Sequence, residues 1–513
     1  MSDVYQHHSV VDTHFRQESF NDVMAAQLKR SPWFLISLAI HAVLILALYN
    51  MEWMSKDMVE DKGIQAEFED VPDELIEPEE EIEEEEEIEE VEQIIEEPTI
   101  MEEDVETESE EQFDDNPVDT PFDSNNVNDV IGVGGGAGGG GFGGKFGGRR
   151  GRKGGASKTE RAVDLGLEWL ANHQSPDGRW DADGFMDMCT SGTCDGPGNP
   201  LNDNGLTGLA LLAFLGANNT TTVGAYKKNV RNGIQYLKRV QDQDEGIFGA
   251  KTGQHYMYNH AIASLAMTEA YLLSGRNPLL KEPAQLGLNF IHRARNPYKA
   301  WRYESPPNGE NDTSVTGWMV MVLESAREAG LEVDMGAFDG SLAWFDEMTN
   351  TQTGRTGYIT KGGYSARETG MEVEFPWDKT EAMTAVALLA RIFIGQDDKH
   401  PAVSSGAELL LALPPKWSPE TGEADMYYWY YGAYVMFQLG GKYWNTWNKA
   451  MQDAILPHQH IEEGPCLRGS WDPIGPWGEA GGRVYSTALM VLCLEVYYRY
   501  GKVIGSRNDK GEK

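Results

Sequence analysis

The residues best placed for chemistry stand where apolar helical segments begin. Asp312, followed by Thr313, opens the apolar segment 315–323. A carboxyl in that position is either an N-cap, accepting a bond from an unpaired backbone N–H, or an acid for proton transfer. Asp203, Tyr258, His260, Glu381, Tyr428 and Tyr485 occupy comparable places in other segments. If the helix starts converge, these groups line a ligand-binding mouth whose helix dipoles favour an anionic ligand. The competing reading is structural, with the acids as caps and the aromatic rings as core. Cys189 and Cys194 share a loop rich in Asp, Gly and Pro, and outside the cytoplasm such a pair is expected to close a short disulfide. Cys466 and Cys493 complete the cysteine count. No set of Cys, His and acid has zinc-like spacing, so neither a metal nor another cofactor is expected.

The elements that must position these residues form a repeat. One class of segment carries Gly, an aromatic residue three later, then Leu or Ile. It occurs at Gly166–Trp169, Gly233–Tyr236 and Gly287–Phe290, and more loosely around 340–345, 406–411 and 447–455. Each is followed by a second class rich in Ala, Gly, Thr and Leu: 205–215, 261–271, 315–323, 382–390, 430–439 and 486–497. The first class has a charged face, as in Lys227, Lys228, Arg231, Lys238 and Arg239, and belongs outside; the second is apolar all round and belongs inside. The pattern predicts an all-α fold of six helical hairpins. Closure into a ring is preferred to an open solenoid because the last inner segment is as apolar as the rest and offers no polar capping face.

Gly166, Trp169, Leu170, Gln174, Gly178 and Trp180 follow the order Gly-x-x-aromatic-Leu, Gln, Gly-x-Trp. This resembles the QW motif of squalene–hopene cyclases and related terpenoid cyclases, with a weaker copy at Gln241, Gly246 and Phe248. Residues 157–505 therefore resemble the prenyltransferase/squalene-cyclase repeat superfamily, and the resemblance implies an (α/α)6 toroid. The motif's role would be structural, the Gln amide bonding backbone groups at a helix end while the Trp covers the joint. The cyclases of that family protonate an alkene with the middle Asp of Asp-x-Asp-Asp-Thr. Here the counterpart is Gly309-Glu310-Asn311-Asp312-Thr313, and the Asn311 amide cannot serve as that acid. The Asp, Cys and His zinc ligands of protein prenyltransferases and the Cys-Gly-Glu-Gln thioester of complement-like toroids have no counterpart.

The N-terminal part is organised differently. Residues 1–32 form a polar tail ending in Lys29 and Arg30; 33–53 form an apolar span bounded by Trp33, Tyr49 and Trp53. That span predicts a transmembrane helix with its N-terminus in the cytoplasm, a cleaved signal peptide or a buried core helix being the competing readings. Ser37 and His41 lie four apart on one face of it, and an intramembrane His is costly unless it meets a partner or water. This Ser-x-x-x-His helix, after basic residues and before an acidic spacer, resembles the anchor of the TonB family. The resemblance implies docking on an ExbB–ExbD-type proton-driven complex; a plain anchor is the alternative.

Charge follows the same division. The chain's net charge is −40, yet residues 60–129 hold 33 acidic residues and one basic residue, which leaves −8 for all the rest. Residues 54–131 read as an acidic disordered spacer, 132–156 as a Gly-rich basic linker and 506–513 as a polar tail. Lacking a large basic surface, the globular part is not expected to bind nucleic acid. Sequence alone thus favours a non-catalytic ligand-binding or scaffold module held in the periplasm on the inner membrane. A terpenoid-cyclase-like enzyme with an atypical acid, and a TonB-like energy-coupled protein, are the alternatives.

Overall fold

The computed structural model describes residues 158–190, 194–461, 464 and 466–499. The apolar span with Ser37 and His41, the spacer, the Gly-rich linker and the polar tail lie outside the described residues. Among the described residues, no helix is long and apolar enough to cross a membrane.

The described chain is all-helical, apart from short 3-10 turns and two isolated β-bridges. Its α-helices are α1 (Lys158–Asn172), α2 (Asp203–Gly216), α3 (Lys227–Val240), α4 (Tyr256–Leu273), α5 (Pro278–Ala294) and α6 (Thr313–Ala329). They continue as α7 (Gly336–Met348), α8 (Ala382–Ile394), α9 (Pro401–Ala412), α10 (Met426–Leu439), α11 (Gly441–Ile455) and α12 (Gly478–Arg499). The even-numbered helices pack side by side in sequence order, and α12 returns to pack on α2, so they close a ring. The odd-numbered helices pack on its outside, giving the α/α toroid.

Composition explains the layering. In α2 every residue from Gly205 to Gly216 is buried, because both flanks and the back of an inner helix meet other helices. Small residues permit the close approach: a Cβ on Gly208 would lie 2.9 Å from the Ala263 backbone of α4. Outer helix α3 instead buries only Val230, Gly233, Ile234, Tyr236 and Leu237 and leaves its lysines in solvent.

The hairpins are tied by a repeated joint. Gln174 Nε2 donates to Gly178 O at 2.8 Å and to Asn229 O of α3 at 3.0 Å, while Trp180 Nε1 donates to Leu170 O at 2.7 Å. Gln241 similarly reaches Gly246 O at 3.2 Å and Pro283 O of α5 at 2.9 Å. The closing joint uses Gln459, whose amide donates to Gly469 O at 2.9 Å and to Ala162 O of α1 at 2.8 Å. Its Trp471 donates to Ile455 O at 2.9 Å. The joint needs glycine: Gly178 and Gly469 have φ of 96° and 98°, and a Cβ would lie 2.3 and 2.1 Å from the Asn232 and Leu165 carbonyl oxygens. The glycine of the outer-helix motif is the other half of the contact. A Cβ on Gly233 would strike the Trp180 ring at 2.9 Å, and one on Gly166 would meet Val491 at 2.5 Å and Trp471 at 3.2 Å.

Candidate ligand-binding mouth

The inner helices start at one end of the ring, and Asp312 is its most buried acid, with no exposed surface. It caps α6 through Oδ1, which accepts the Val315 N–H at 2.7 Å. Its Oδ2 accepts the Tyr358 hydroxyl at 3.4 Å and lies 4.0 Å from Arg302 Nε. The Tyr358 hydroxyl also bonds that of Tyr303, which packs against Tyr258. Burial raises the Asp312 pKa to about 7, opposed by the Val315 N–H, Arg302 and Tyr358. Asn311, in contrast, is pinned away from this network: its Oδ1 accepts from Ala300 N at 2.9 Å and Asn296 Nδ2 at 3.2 Å.

The remaining mouth acids are paired with arginines. Asp203 lies 3.3 Å from Arg179 and also accepts the Ala182 N–H; burial raises its pKa to about 6. Glu381 accepts from Arg355 Nε at 2.9 Å and from Thr384. Asp425 caps α10 and lies 3.2 Å from Arg367. The positive helix ends are thus met by internal carboxylates, which removes the physical basis for the expected preference for an anionic ligand.

Beneath the mouth the ring is filled by aromatic side chains. Trp318 stacks on Tyr430 at 6.0 Å and meets Tyr431 edge-on at 5.5 Å, while Tyr427 bonds Ser314 at 2.8 Å. None of the four rings exceeds 6% exposure. At the upper edge of this stack Tyr485 is half-buried, its hydroxyl enclosed without a hydrogen-bond partner, and so is the Trp477 indole N–H. The connection 349–381 adds an exposed rim: Tyr364 and Trp377 meet edge-on at 5.2 Å, and Arg355 lies 5.5 Å over the Trp377 ring. Sequence reasoning passed over this rim and Tyr303 and Tyr358, although so long a connection is itself a functional signal.

Two expected mouth residues point elsewhere. His260 faces the outer layer, where Nδ1 accepts the Phe248 N–H at 3.1 Å and Nε2 lies 3.1 Å from Gly287 O. Burial lowers its pKa to about 3, so it is a neutral structural pin. Tyr428 is likewise turned outward, donating to Leu413 O at 2.8 Å against Trp447. The expected Cys189–Cys194 bridge is not formed: both are thiols, and their sulfurs lie 3.6 and 3.2 Å from His173 Nε2. A cavity of about 300 Å³ is lined wholly by α5 residues, including Lys281 and Gln285, and contains no mouth residue.

No family model matches the chain. It is similar to squalene–hopene cyclase of Bradyrhizobium diazoefficiens, 25% identical over 242 residues, which cover 42% of this chain and 34% of the cyclase. The match thus spans about a third of the length of that relative. Among solved structures, the α-1,6-mannanase of Salegentibacter sp. HEL1_6 superposes with a TM-score of 0.46 at 11% identity, over 67% of this chain and 99% of the mannanase. The type II terpene cyclase from Scytonema superposes with a TM-score of 0.41 at 13% identity, over 66% and 97% of the two chains.

Proposed function

We propose that this chain is a membrane-anchored, extracytoplasmic toroid whose mouth binds a ligand without transforming it. The observation that carries this reading is the filled ring: Trp318, Tyr427, Tyr430 and Tyr431 occupy the space beneath Asp312 and leave each other no more than 6% exposed. A cyclase must enfold its isoprenoid, and enclosed ligand sites run to roughly 300–1,000 Å³. Half-buried tyrosines, arginine–carboxylate pairs and the Tyr364–Trp377 rim instead suit a hydroxyl-rich ligand, a glycan, whose ring faces stack on aromatic side chains while its hydroxyls exchange hydrogen bonds. Titrating the full chain with soluble oligosaccharides should give saturable quenching of tryptophan fluorescence, weakened by Trp377→Ala, with no new product by mass spectrometry. Product formation would overturn the non-catalytic reading, and no quenching across the panel would overturn the glycan.

One observation favours a second reading. Asp312, with a pKa of about 7, is poised as a general acid near neutral pH. Acid-catalysed turnover of an isoprenoid such as squalene, abolished by Asp312→Asn, would establish it. The anchor belongs to the first reading on sequence grounds. Copurification with a proton-channel complex, lost on His41→Ala, would support coupling through the Ser37–His41 face, and partners unchanged by that substitution would exclude it.

A further inference from the structure

Beside the ring seam, three potential metal ligands converge. His173 follows α1, Cys189 and Cys194 lie in the connection to α2, and their donor atoms are all within 4.8 Å of one another. The His173 Nε2 lies 3.6 Å from Cys189 Sγ and 3.2 Å from Cys194 Sγ. Around a tetrahedral zinc with ordinary bond lengths, nitrogen and sulfur ligands stand about 3.6 Å apart. The histidine is also in the right tautomer. Its Nδ1 bonds the Trp169 carbonyl at 2.8 Å, so that nitrogen carries the proton and the Nε2 lone pair faces the sulfurs. Metal-binding histidines are characteristically oriented through their other nitrogen in this way. Stacking on Trp169, with ring centroids 4.2 Å apart, fixes the plane.

We propose that His173, Cys189 and Cys194 hold a structural Zn²⁺ ion, with Cys466 as the fourth ligand. Cys466 belongs to the last connection, yet its carbonyl accepts the Cys194 thiol at 2.9 Å and the Trp169 indole N–H at 2.7 Å. Its sulfur is not among the donors that stand within 4.8 Å of one another, so the Cys466 side chain must turn toward them to complete the closed Cys3His set of structural zinc. Binding requires each thiol to lose its proton to solvent as its sulfur joins the metal. The ion would join the first connection of the toroid to the last and so staple the seam.

The test uses the full-length chain, purified under reducing conditions and loaded with Zn²⁺ alone or Co²⁺ alone. Expected are one equivalent of metal, a sulfur-to-cobalt charge-transfer band with tetrahedral visible bands, and a melting temperature that rises with metal and falls with chelator. Cys189→Ser, at the half-buried position least needed for folding, should lose most of the charge-transfer intensity and the thermal response. Cys466→Ser should lower the intensity by about one sulfur ligand. Failure to take up either metal, or a Cys189–Cys194 disulfide found by peptide mass spectrometry after purification without reductant, would overturn the proposal. So would full metal retention by Cys189→Ser. An unchanged spectrum in Cys466→Ser would overturn the fourth ligand.

Discussion

At the closing joint, the Gln459 amide serves two carbonyls in different helices, and the Trp471 indole serves a third. At the mouth, Asp312 is fully buried with only part of its charge compensated, and Tyr485 and Trp477 enclose polar hydrogens that no neighbour accepts. Both regions use Trp, Gly and polar side chains at helix ends, so residue type does not separate them. Satisfaction does: where each donor has its acceptor the polar groups fix the architecture, and where they do not the fold carries a cost that a ligand could relieve.

The largest effect should come from breaking the closing joint. Trp471→Ala removes a fully buried indole and should cost about 3–5 kcal/mol in denaturant unfolding; a loss no greater than at an exposed site would remove the joint from the frame of the ring. Next is the acid at the mouth. The folded-state pKa of Asp312 lies above its unfolded value, so its contribution is fully present below about pH 4 and lost as pH rises through about 7. Asp312→Asn keeps a capping side chain but cannot ionise. Its stability relative to the parent should therefore improve from pH 4 to pH 8, on the order of 3–4 kcal/mol, and parallel pH profiles would count against a neutral buried acid. Gln459→Ala, which leaves two carbonyls short of a donor, should cost about 1–3 kcal/mol. Tyr485→Phe should leave the fold no less stable and raise its stability by up to about 1 kcal/mol, since the enclosed hydroxyl has no partner to lose, yet weaken ligand binding in the fluorescence titration. If it destabilised the fold as Gln459→Ala does, the contrast between joint and mouth would collapse.

The alternation of outer and inner helices was readable because it rests on local pattern: an amphipathic face in α3, an apolar circumference in α2, and Gly followed by an aromatic residue. The closing joint was hidden because Gln459 and Gly469 are ten residues apart, whereas Gln174 and Gly178 are four apart. In the third joint Asn296 takes the place of Gln, although Trp301 still donates to Ile291 O at 2.8 Å. The mouth was half readable. Asp312 announced itself as a cap, but Tyr303 and Tyr358 come from separate aperiodic connections that only the folded ring brings together. Sequence offers His260 and Tyr428 as mouth candidates or as core, and cannot choose, because helices buried all round carry no amphipathic signal to tell axis from periphery. His173 stood inside a structural motif, which concealed its relation to the cysteines sixteen and twenty-one residues later.

The closing joint also sets a schedule. The Gln459 amide and the Ala162 carbonyl are 297 positions apart, and the Trp169 indole waits as long for Cys466. As the chain emerges from its N-terminal side, α1 must keep apolar surface bare until the final hairpin has been delivered. Contacts of such long sequence separation form late and slowly, so the first helix to be made is among the last to be sheltered. The stage at which this toroid is most exposed to aggregation is therefore the interval in which five hairpins exist and the sixth does not.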